Sequence, residues 1–388
     1  MRFHASARAR AVQDPIVPVI AEAIRANPGT LSLGQGVVWW APPEAALRAP
    51  QALDEGSLLH RYQPVHGIDA LVERIAGKLA AENGIVADSR SRIVVTAGGN
   101  MAFLNVVLAI CDPGDEVILP LPWYFNQEMA LALAGARAVG VPTDAQYQLD
   151  PDAIAAAITP RTRAVVTVSP NNPTGAVYSR DALAAVNALC ERHGLYHVSD
   201  EAYEYFVHEG EPAFSPASLP GSAPHTISLY SLSKAYGMAS WRVGYMVVPT
   251  GLYPAIAKIQ DTNLICPPVP SQLAAVAALE AGHAWCAPRI ASLSAARLQT
   301  REALAALAPR VTLADARGAF YWLLSIDGGG DSLALAMRLI ERHRVAVLPG
   351  SAFGATRGCL LRVSYGALGR EDVLAGVSRL VEGLRAGA

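Results

Sequence analysis

The sequence Ser231-Leu232-Ser233-Lys234-Ala235-Tyr236-Gly237 lies between two strand-like runs, 226–230 and 243–248. Lys234 is therefore predicted to lie in a loop between two buried strands. A lysine that is desolvated and close to other cations has a depressed pKa, and it can act as a nucleophilic amine toward carbonyls. The alternative is a surface lysine with no such role.

Side chains that suit an anion surround this lysine in the sequence. Ser231 and Ser233 precede it, and Arg242 follows a short way downstream. Hydroxyl and guanidinium groups of this kind are the donors that a phosphate needs. The stretch therefore predicts a reactive amine beside a phosphate-binding site.

Seven apolar runs predict the strands of one sheet, namely 92–96, 116–119, 138–141, 164–168, 195–199, 226–230 and 243–248. Helical stretches separate most of them. Continuous apolar strands that alternate with helices indicate a largely parallel sheet covered on both faces. Ligands of such sheets bind beyond the carboxyl ends of the strands. After residue 252 the pattern becomes helical, with separate helices at 271–281 and 284–307, and a smaller α/β unit follows.

Residues suited to ligand binding follow several of these strands. The turn Gly98-Gly99-Asn100 precedes a helix, where free N–H groups and the helix dipole favour a phosphate. Trp123 and Tyr124 follow the next strand, 116–119, and aromatic side chains of this kind can stack on a flat ring. Trp123 is the first choice for this role and Tyr124 the second, and packing in the core is the alternative. Asp200 directly follows an apolar strand, so it is either a helix cap or a buried anion that needs a partner.

Two further segments are suited to contact a ligand. Arg362 interrupts the apolar strand 359–364, so its guanidinium requires either a bound anion or an internal salt bridge. The glycine at Gly36 allows close approach of a ligand. A dinucleotide-binding GxGxxG motif would require glycine at Trp39, so that fingerprint fails. Trp39 and Trp40 either contact a substrate or pack at a domain seam.

Composition excludes several classes of protein. The 388 residues include 31 basic and 33 acidic side chains, so no nucleic-acid partner is expected. Apolar runs are short and interrupted, so no transmembrane helix is expected. The first eight residues lack the apolar core of a secretory signal. The five cysteines are far apart and show no metal-ligand spacing, which favours a cytoplasmic protein without a metal site.

The motifs around Lys234, Asp200 and Arg362 resemble those of the class I/II, fold-type I aminotransferases, which use pyridoxal phosphate (PLP). The resemblance covers nearly the whole chain. It implies a large PLP-binding domain over 45–280, with the seven-stranded sheet, and a small domain built from 1–44 and 281–388. It also implies transfer of an amino group from an L-amino acid to a 2-oxo acid by a ping-pong mechanism.

The resemblance implies catalytic roles for three residues. Lys234 would bind PLP covalently and move a proton, and Asp200 would pair with the pyridine nitrogen. Tyr203, from the motif Asp-x-x-Tyr, would bond the phenolic oxygen of the cofactor. Trp123 would stack on the ring.

The remaining site residues are assigned to three groups. Asn172, which precedes Pro-Thr-Gly, would bond the same phenolic oxygen. The substrate would contact Arg362, Gly36, Asn172 and Trp39. The phosphate would be held by Ser231, Ser233, Arg242, the turn Gly98-Gly99-Asn100 and Tyr62 of the partner subunit, which implies a homodimer with shared sites.

The choice of substrate and reaction stays open at this point. Trp39 and Trp40, with no second arginine recognisable as a side-chain clamp, favour a neutral or aromatic amino acid. A PLP-dependent C–S lyase or decarboxylase would need the same lysine, aspartate and arginine. A nucleotide-binding α/β protein without PLP is a more distant alternative.

Overall fold

The computed structural model describes residues 4–355 and 358–387, so residues 1–3 of the stretch considered as a secretory signal lie outside it. Its α-helices are α1 Ala7–Ala11, α2 Ile16–Ala26, α3 Glu44–Arg48, α4 Asp69–Lys78, α5 Gly99–Ile110, α6 Phe125–Ala134, α7 Pro151–Ala156, α8 Arg180–His193, α9 Tyr253–Asn263, α10 Val269–Ala305, α11 Ser332–His343 and α12 Arg370–Arg385. No helix among these residues is long and apolar enough to cross a membrane.

The strands form three sheets. Their bounds are β1 Leu31–Ser32, β2 Ser91–Thr96, β3 Glu116–Leu121, β4 Arg137–Pro142, β5 Thr162–Val168, β6 Tyr196–Asp200, β7 Thr226–Ser231, β8 Gly244–Pro249, β9 Val311–Leu313, β10 Tyr321–Ile326, β11 Val345–Ala346, β12 Leu348–Pro349 and β13 Cys359–Ser364.

The largest sheet has the strand order β2-β8-β7-β6-β5-β3-β4. Strand β8 is antiparallel to both of its neighbours, and the remaining neighbours are parallel. Every residue of β8 is buried, as expected for a strand with helices on both faces. The predicted seven-stranded, mostly parallel sheet is confirmed.

Helix boundaries follow local sequence signals. Helix α8 begins after Ser179, whose hydroxyl accepts a hydrogen bond from the Ala182 N–H at 3.2 Å, and it ends at Gly194 with φ 65°. Helix α7 begins after Asp150, which accepts hydrogen bonds from two N–H groups of the first turn. Helix α8 packs against β5 and β6, and helix α7 packs against β4.

A second, antiparallel sheet has the order β12-β13-β10-β9, and helices α11 and α12 accompany it. This confirms the smaller α/β unit. Strand β1 pairs with β11, so the N-terminal segment joins the C-terminal unit. The domain limits at 44/45 and 280/281 stay a prediction.

The sequence predicted separate helices at 271–281 and 284–307, and the structure confirms a break between them. Helix α10, Val269–Ala305, is interrupted at Gly282, which has φ 64° and ψ −166°. Glycine tolerates this conformation because it has no Cβ. The axis therefore changes direction close to the predicted domain limit.

Candidate active site

A cavity lies at the carboxyl ends of the central strands. Its walls come from the ends of β5, β6 and β7, the start of α5 and the loop after β7. The lining residues are Gly99, Asn100, Tyr124, Val168, Asn172, Asp200, Ala202, Tyr203, Ser231, Ser233, Lys234 and Arg242. Most side chains that the sequence predicted for a single site therefore meet in one place.

Lys234 projects into this cavity from the loop after β7. Its Nζ donates a hydrogen bond to the Gly36 carbonyl at 2.6 Å and lies 5.7 Å from the centre of the Tyr203 ring. Burial, followed by repulsion from Arg362 and Arg242, lowers the pKa of Lys234 to about 8. At a pH close to this pKa, a substantial fraction of the Lys234 amine is neutral and can act as a nucleophile.

Asp200 is the last residue of β6 and faces the same cavity. Burial raises the pKa of its carboxyl group to about 6, although hydrogen bonds from the Ala202 N–H and the Gln127 side chain oppose the rise. Gln127 Nε2 donates to Oδ2 at 2.9 Å, and the Ala202 N–H donates to Oδ1 at 3.2 Å. At neutral pH the carboxylate is therefore mostly ionised and can pair with a cationic ligand group.

Arg362, on β13, reaches the cavity wall from the smaller sheet. Its Nη1 donates to Asn172 Oδ1 at 2.8 Å, and its Nη2 donates to the Gly34 carbonyl at 2.6 Å. Its Nε is buried without a hydrogen-bond partner among the residues that the structure describes. A buried guanidinium with a free donor is well suited to bind a carboxylate.

Asn172 links Arg362 to Tyr203. The amide Nδ2 of Asn172 donates to the Tyr203 hydroxyl at 3.3 Å, while its Oδ1 accepts from Arg362. Burial raises the pKa of Tyr203 well above its ordinary value, so the phenol keeps its proton. Both side chains can therefore donate to an oxygen in the cavity.

The opposite end of the cavity is built for an anion. Gly98 has φ +86°, and a Cβ at this position would lie 2.4 Å from Nη2 of Arg242. The next two residues begin α5, whose first N–H groups have no partner inside the helix. Ser231 and Ser233 complete this wall. The arrangement joins a helix N-terminus, two hydroxyls and a guanidinium.

The structure places Tyr124, rather than Trp123, at the cavity. The Trp123 ring lies between the backbones of Gly140 and Gly354 instead. Consecutive residues that leave a strand point in opposite directions, so only one of the two can face the cavity. The Tyr124 hydroxyl accepts from Asn126 Nδ2 at 2.8 Å. Tyr124, the second choice, therefore lines the cavity in place of Trp123.

Several other predicted residues do not line the cavity, namely Gly36, Trp39, Trp40, Tyr62, Gly98 and Arg362. Tyr62 is 81% exposed and Trp39 is 52% exposed. Trp40 is buried, and its indole Nε1 donates to the Ala235 carbonyl at 3.0 Å, next to Lys234. Gly36 contributes its carbonyl to Lys234. Trp40 therefore packs against the lysine loop, and Trp39 remains at the surface.

Sequence reasoning missed two residues that support the site. Gln127 lies on α6 and bonds Asp200, and Tyr321 lies on β10 with its hydroxyl 2.8 Å from that of Tyr203. Gln127 follows Asn126 in a stretch with no motif, and Tyr321 belongs to an apolar run typical of core strands. Neither carries a signal that sequence alone could separate from ordinary packing.

Comparisons with known proteins agree with this geometry. The chain matches the model of the family "Aminotransferase class I and II" over residues 28–380. It is 33% identical to an aromatic aminotransferase of Arabidopsis thaliana, over 95% of this chain and 93% of that protein.

Solved structures give the same result. A Thermus thermophilus aspartate aminotransferase mutant is 34% identical and superposes with a TM-score of 0.90, covering 99% of this chain and 100% of that one. An aromatic aminotransferase from Pyrococcus horikoshii is 32% identical with a TM-score of 0.86, covering 95% and 99%. Lys234, Asp200 and Arg362 thus lie in a scaffold shared along nearly the whole length, and the chain belongs to the class I and II aminotransferases.

Proposed function

We propose that this aminotransferase binds PLP at Lys234 and transfers the amino group of a neutral or aromatic L-amino acid to a 2-oxo acid. The observation that carries the proposal is the presence, in one cavity, of a lysine with a depressed pKa and a buried carboxylate, Asp200. The Lys234 amine suits the aldehyde of PLP, and the Asp200 carboxylate suits its cationic ring nitrogen.

The cavity has the donors that each part of PLP requires. Ser231, Ser233, Arg242 and the N–H groups at the start of α5 would hold the phosphate. Asn172 and Tyr203 would donate to the phenolic oxygen, and Tyr124 would cover the ring face. The donor set therefore fits the cofactor from end to end.

The residues around the cavity then account for amino-group transfer. PLP, when bound, supplies an electron sink for the negative charge that develops at the substrate α-carbon. Asp200 stabilises positive charge on the ring nitrogen, and Arg362 holds the substrate carboxylate through its free Nε. Lys234, freed when the amino group of the substrate takes its place on the cofactor, would accept the proton from the α-carbon as a neutral amine and deliver it, as general acid, to the former aldehyde carbon of the cofactor.

The preference for a neutral or aromatic side chain has two supports. The cavity is lined by two cations, Lys234 and Arg242, which are already assigned to the aldehyde and the phosphate of PLP. Neither is therefore available to bind a carboxylate on the substrate side chain. The similar proteins from Arabidopsis thaliana and Pyrococcus horikoshii are named as aromatic aminotransferases.

We also propose that the enzyme is a homodimer and is cytoplasmic. Tyr62 is 81% exposed and does not line its own cavity, which suits a contact with the phosphate in the partner subunit. The five cysteines form no disulfide in the part of the chain that the structure describes, which suits a reducing compartment.

Product analysis with a panel of L-amino acids tests the reaction and its substrate. With phenylalanine, leucine or methionine and a 2-oxo acid, we expect the matching pair of new oxo acid and new amino acid, and Lys234→Ala should abolish it. A strong preference for aspartate would overturn the substrate proposal. Ammonia with pyruvate, or carbon dioxide, formed without an oxo acid would favour the lyase or decarboxylase.

A further inference from the structure

Tyr321 lies at the centre of the contacts that join the two halves of the site. It is fully buried at the start of β10 in the smaller sheet. Its hydroxyl lies 2.8 Å from the hydroxyl of Tyr203, which follows β6 of the large sheet. Its ring lies under the Arg362 guanidinium, and Cζ of Arg362 is 4.4 Å from the centre of the Tyr321 ring. One side chain thus contacts both the phenol and the guanidinium of the site.

Either tyrosine can donate in the hydrogen bond between Tyr203 and Tyr321, and the direction decides where the Tyr203 proton points. A phenol has one proton to donate and two lone pairs that accept. Asn172 Nδ2 donates to the Tyr203 oxygen at 3.3 Å. If Tyr321 supplies the second donor, both lone pairs are occupied and the Tyr203 proton is free to point into the cavity.

The ring of Tyr321 has a separate effect on Arg362. A guanidinium over an aromatic face is held by the ring quadrupole, and this contact is stronger when it is desolvated. Arg362 is only 2% exposed, and its two terminal nitrogens are already bonded to Asn172 and Gly34. The stacked ring therefore fixes the plane in which the free Nε points.

The position of Gly36 depends on the same hydroxyl. A Cβ at Gly36 would lie 2.6 Å from the Tyr321 hydroxyl oxygen, and the Gly36 carbonyl accepts from Lys234. The Tyr321 hydroxyl thus occupies the space between the N-terminal segment and the site. Its burial and its contacts are those of a positioning group.

We propose that Tyr321 is a positioning residue with two separable functions, and this inference rests on the proposed binding of PLP. Its hydroxyl donates to Tyr203 and directs the Tyr203 proton to the phenolic oxygen of the cofactor. Its ring orients Arg362 toward the substrate carboxylate. The bond to Tyr203 also ties the small antiparallel sheet to the cofactor-binding face of the large sheet.

Two substitutions separate these functions. Tyr321→Phe removes the hydroxyl and keeps the ring under Arg362, whereas Tyr321→Leu removes both. Tyr365→Phe is the matched control, because Tyr365 is equally buried and its hydroxyl bonds the Ala319 carbonyl at 3.3 Å, outside the cavity. Thermal unfolding of each apoprotein shows whether the variant is folded.

The first readout is the pH midpoint of the absorbance change of lysine-bound PLP. A weaker donor leaves more negative charge on the phenolic oxygen, which stabilises the protonated form of the nearby nitrogen. Tyr321→Phe should therefore raise the midpoint by about half a pH unit, since cooperativity adds only a fraction of a hydrogen bond. Tyr203→Phe should raise it further. Adding Tyr321→Phe to Tyr203→Phe should have no effect, because the hydroxyl acts through Tyr203.

The second readout is the affinity of the PLP-loaded protein for 3-phenylpropanoate, a carboxylate without an amino group. Tyr321→Phe should leave its Kd unchanged, and Tyr321→Leu should raise the Kd about three- to tenfold as the contact with Arg362 is lost. Tyr365→Phe should match the wild type in both readouts.

Specific results would overturn the inference. If Tyr321→Phe has the wild-type midpoint, the Tyr321 hydroxyl does not affect the cofactor. If Tyr321→Phe shifts the midpoint equally in the wild-type protein and in Tyr203→Phe, the hydroxyl does not act through Tyr203. Unchanged affinity in Tyr321→Leu would refute the role of the ring. A wild-type protein that never forms the PLP band would overturn the proposed function itself, and this inference with it.

Discussion

Lys234 shows how the environment of a single side chain sets its chemistry. The sequence predicted a desolvated amine with cations nearby, and the structure provides a buried site with Arg362 and Arg242 close enough to repel a further charge. Burial, Arg362 and Arg242 therefore all lower the pKa of Lys234. Asp200 alone opposes them, and its effect is the smallest of the four.

Reactivity of Lys234 in the apoprotein should depend on pH in a defined way. Modification by a small amine-directed reagent, followed by peptide mass spectrometry, should rise through a midpoint near the pKa of about 8. Arg362→Met should move this midpoint to higher pH, because a repelling cation is lost. A midpoint for Lys234 at the ordinary lysine pKa of 10.5 would contradict the depressed pKa.

Gln127 should control the ionisation of Asp200. The folded-state pKa of Asp200 is raised from its ordinary value of 3.8 to about 6, so the folded protein binds more protons than the unfolded chain between these values. The protonated carboxyl group of Asp200 therefore stabilises the folded state at low pH, and this stabilisation is lost as the pH rises through about 6. Removal of the Gln127 donor with Gln127→Leu should raise the pKa further and extend the loss to higher pH.

Urea unfolding of the apoprotein between about pH 4 and pH 7 measures this effect. At each pH, the free energy of unfolding of each protein is compared with that of its Asp200→Asn counterpart. This substitution removes the titrating group, so the contributions of other groups such as Glu201 cancel in the difference. For the wild type, this difference should change by about 2 kcal/mol between about pH 4 and pH 7. Identical pH profiles for wild type and Gln127→Leu would refute the role of Gln127.

At the level of elements, apolar runs and glycine turns were enough to predict most of the fold. All seven strands of the large sheet were identified because each is a continuous apolar run bounded by helices or turns. The choice between Trp123 and Tyr124 was not predictable in the same way. It depends on the direction in which the chain leaves β3, and that direction is fixed by packing.

The turn between β2 and α5 should be sensitive to a single methyl group. Gly98→Ala combines a backbone with φ +86° and a Cβ 2.4 Å from Arg242, so it should weaken PLP binding at least about tenfold and destabilise the protein by about 1–3 kcal/mol. Gly114→Ala is the control, because Gly114 has φ +91° and open space around its Cβ. It should lower stability and leave PLP affinity unchanged; equal affinities for both variants would contradict the collision with Arg242.

At the level of the whole molecule, the site depends on contacts between distant segments. Gly36 from the N-terminal segment, Lys234 from the loop after β7 and Arg362 from the smaller sheet lie close together beside the cavity. The sequence predicted each of these residues because each interrupts an apolar pattern or lies in a motif. Tyr321 was not predicted, because a tyrosine in an apolar strand is indistinguishable from a core residue until its neighbours are known.

Shared sites in a homodimer can be tested by mixing two defective proteins. Lys234→Ala lacks the reactive amine, and Tyr62→Ala should bind PLP weakly. If Tyr62 serves the partner subunit, each hybrid dimer has one intact site, and random exchange should restore about a quarter of wild-type activity at limiting PLP. If Tyr62 serves its own chain, no hybrid site is intact and mixing restores nothing. Mixing Tyr62→Ala with wild type gives the control for subunit exchange.

The most direct test of PLP-dependent amino transfer at Lys234 is the absorbance spectrum of the purified protein with PLP, before and after addition of L-amino acids without an oxo acid. We expect a band at roughly 360–430 nm that is replaced by one near about 330 nm as the amino group moves to the cofactor. Lys234→Ala should lack this conversion. A wild-type protein that shows no band after incubation with PLP, or one whose band persists while ammonia or carbon dioxide accumulates, would contradict PLP-dependent transamination.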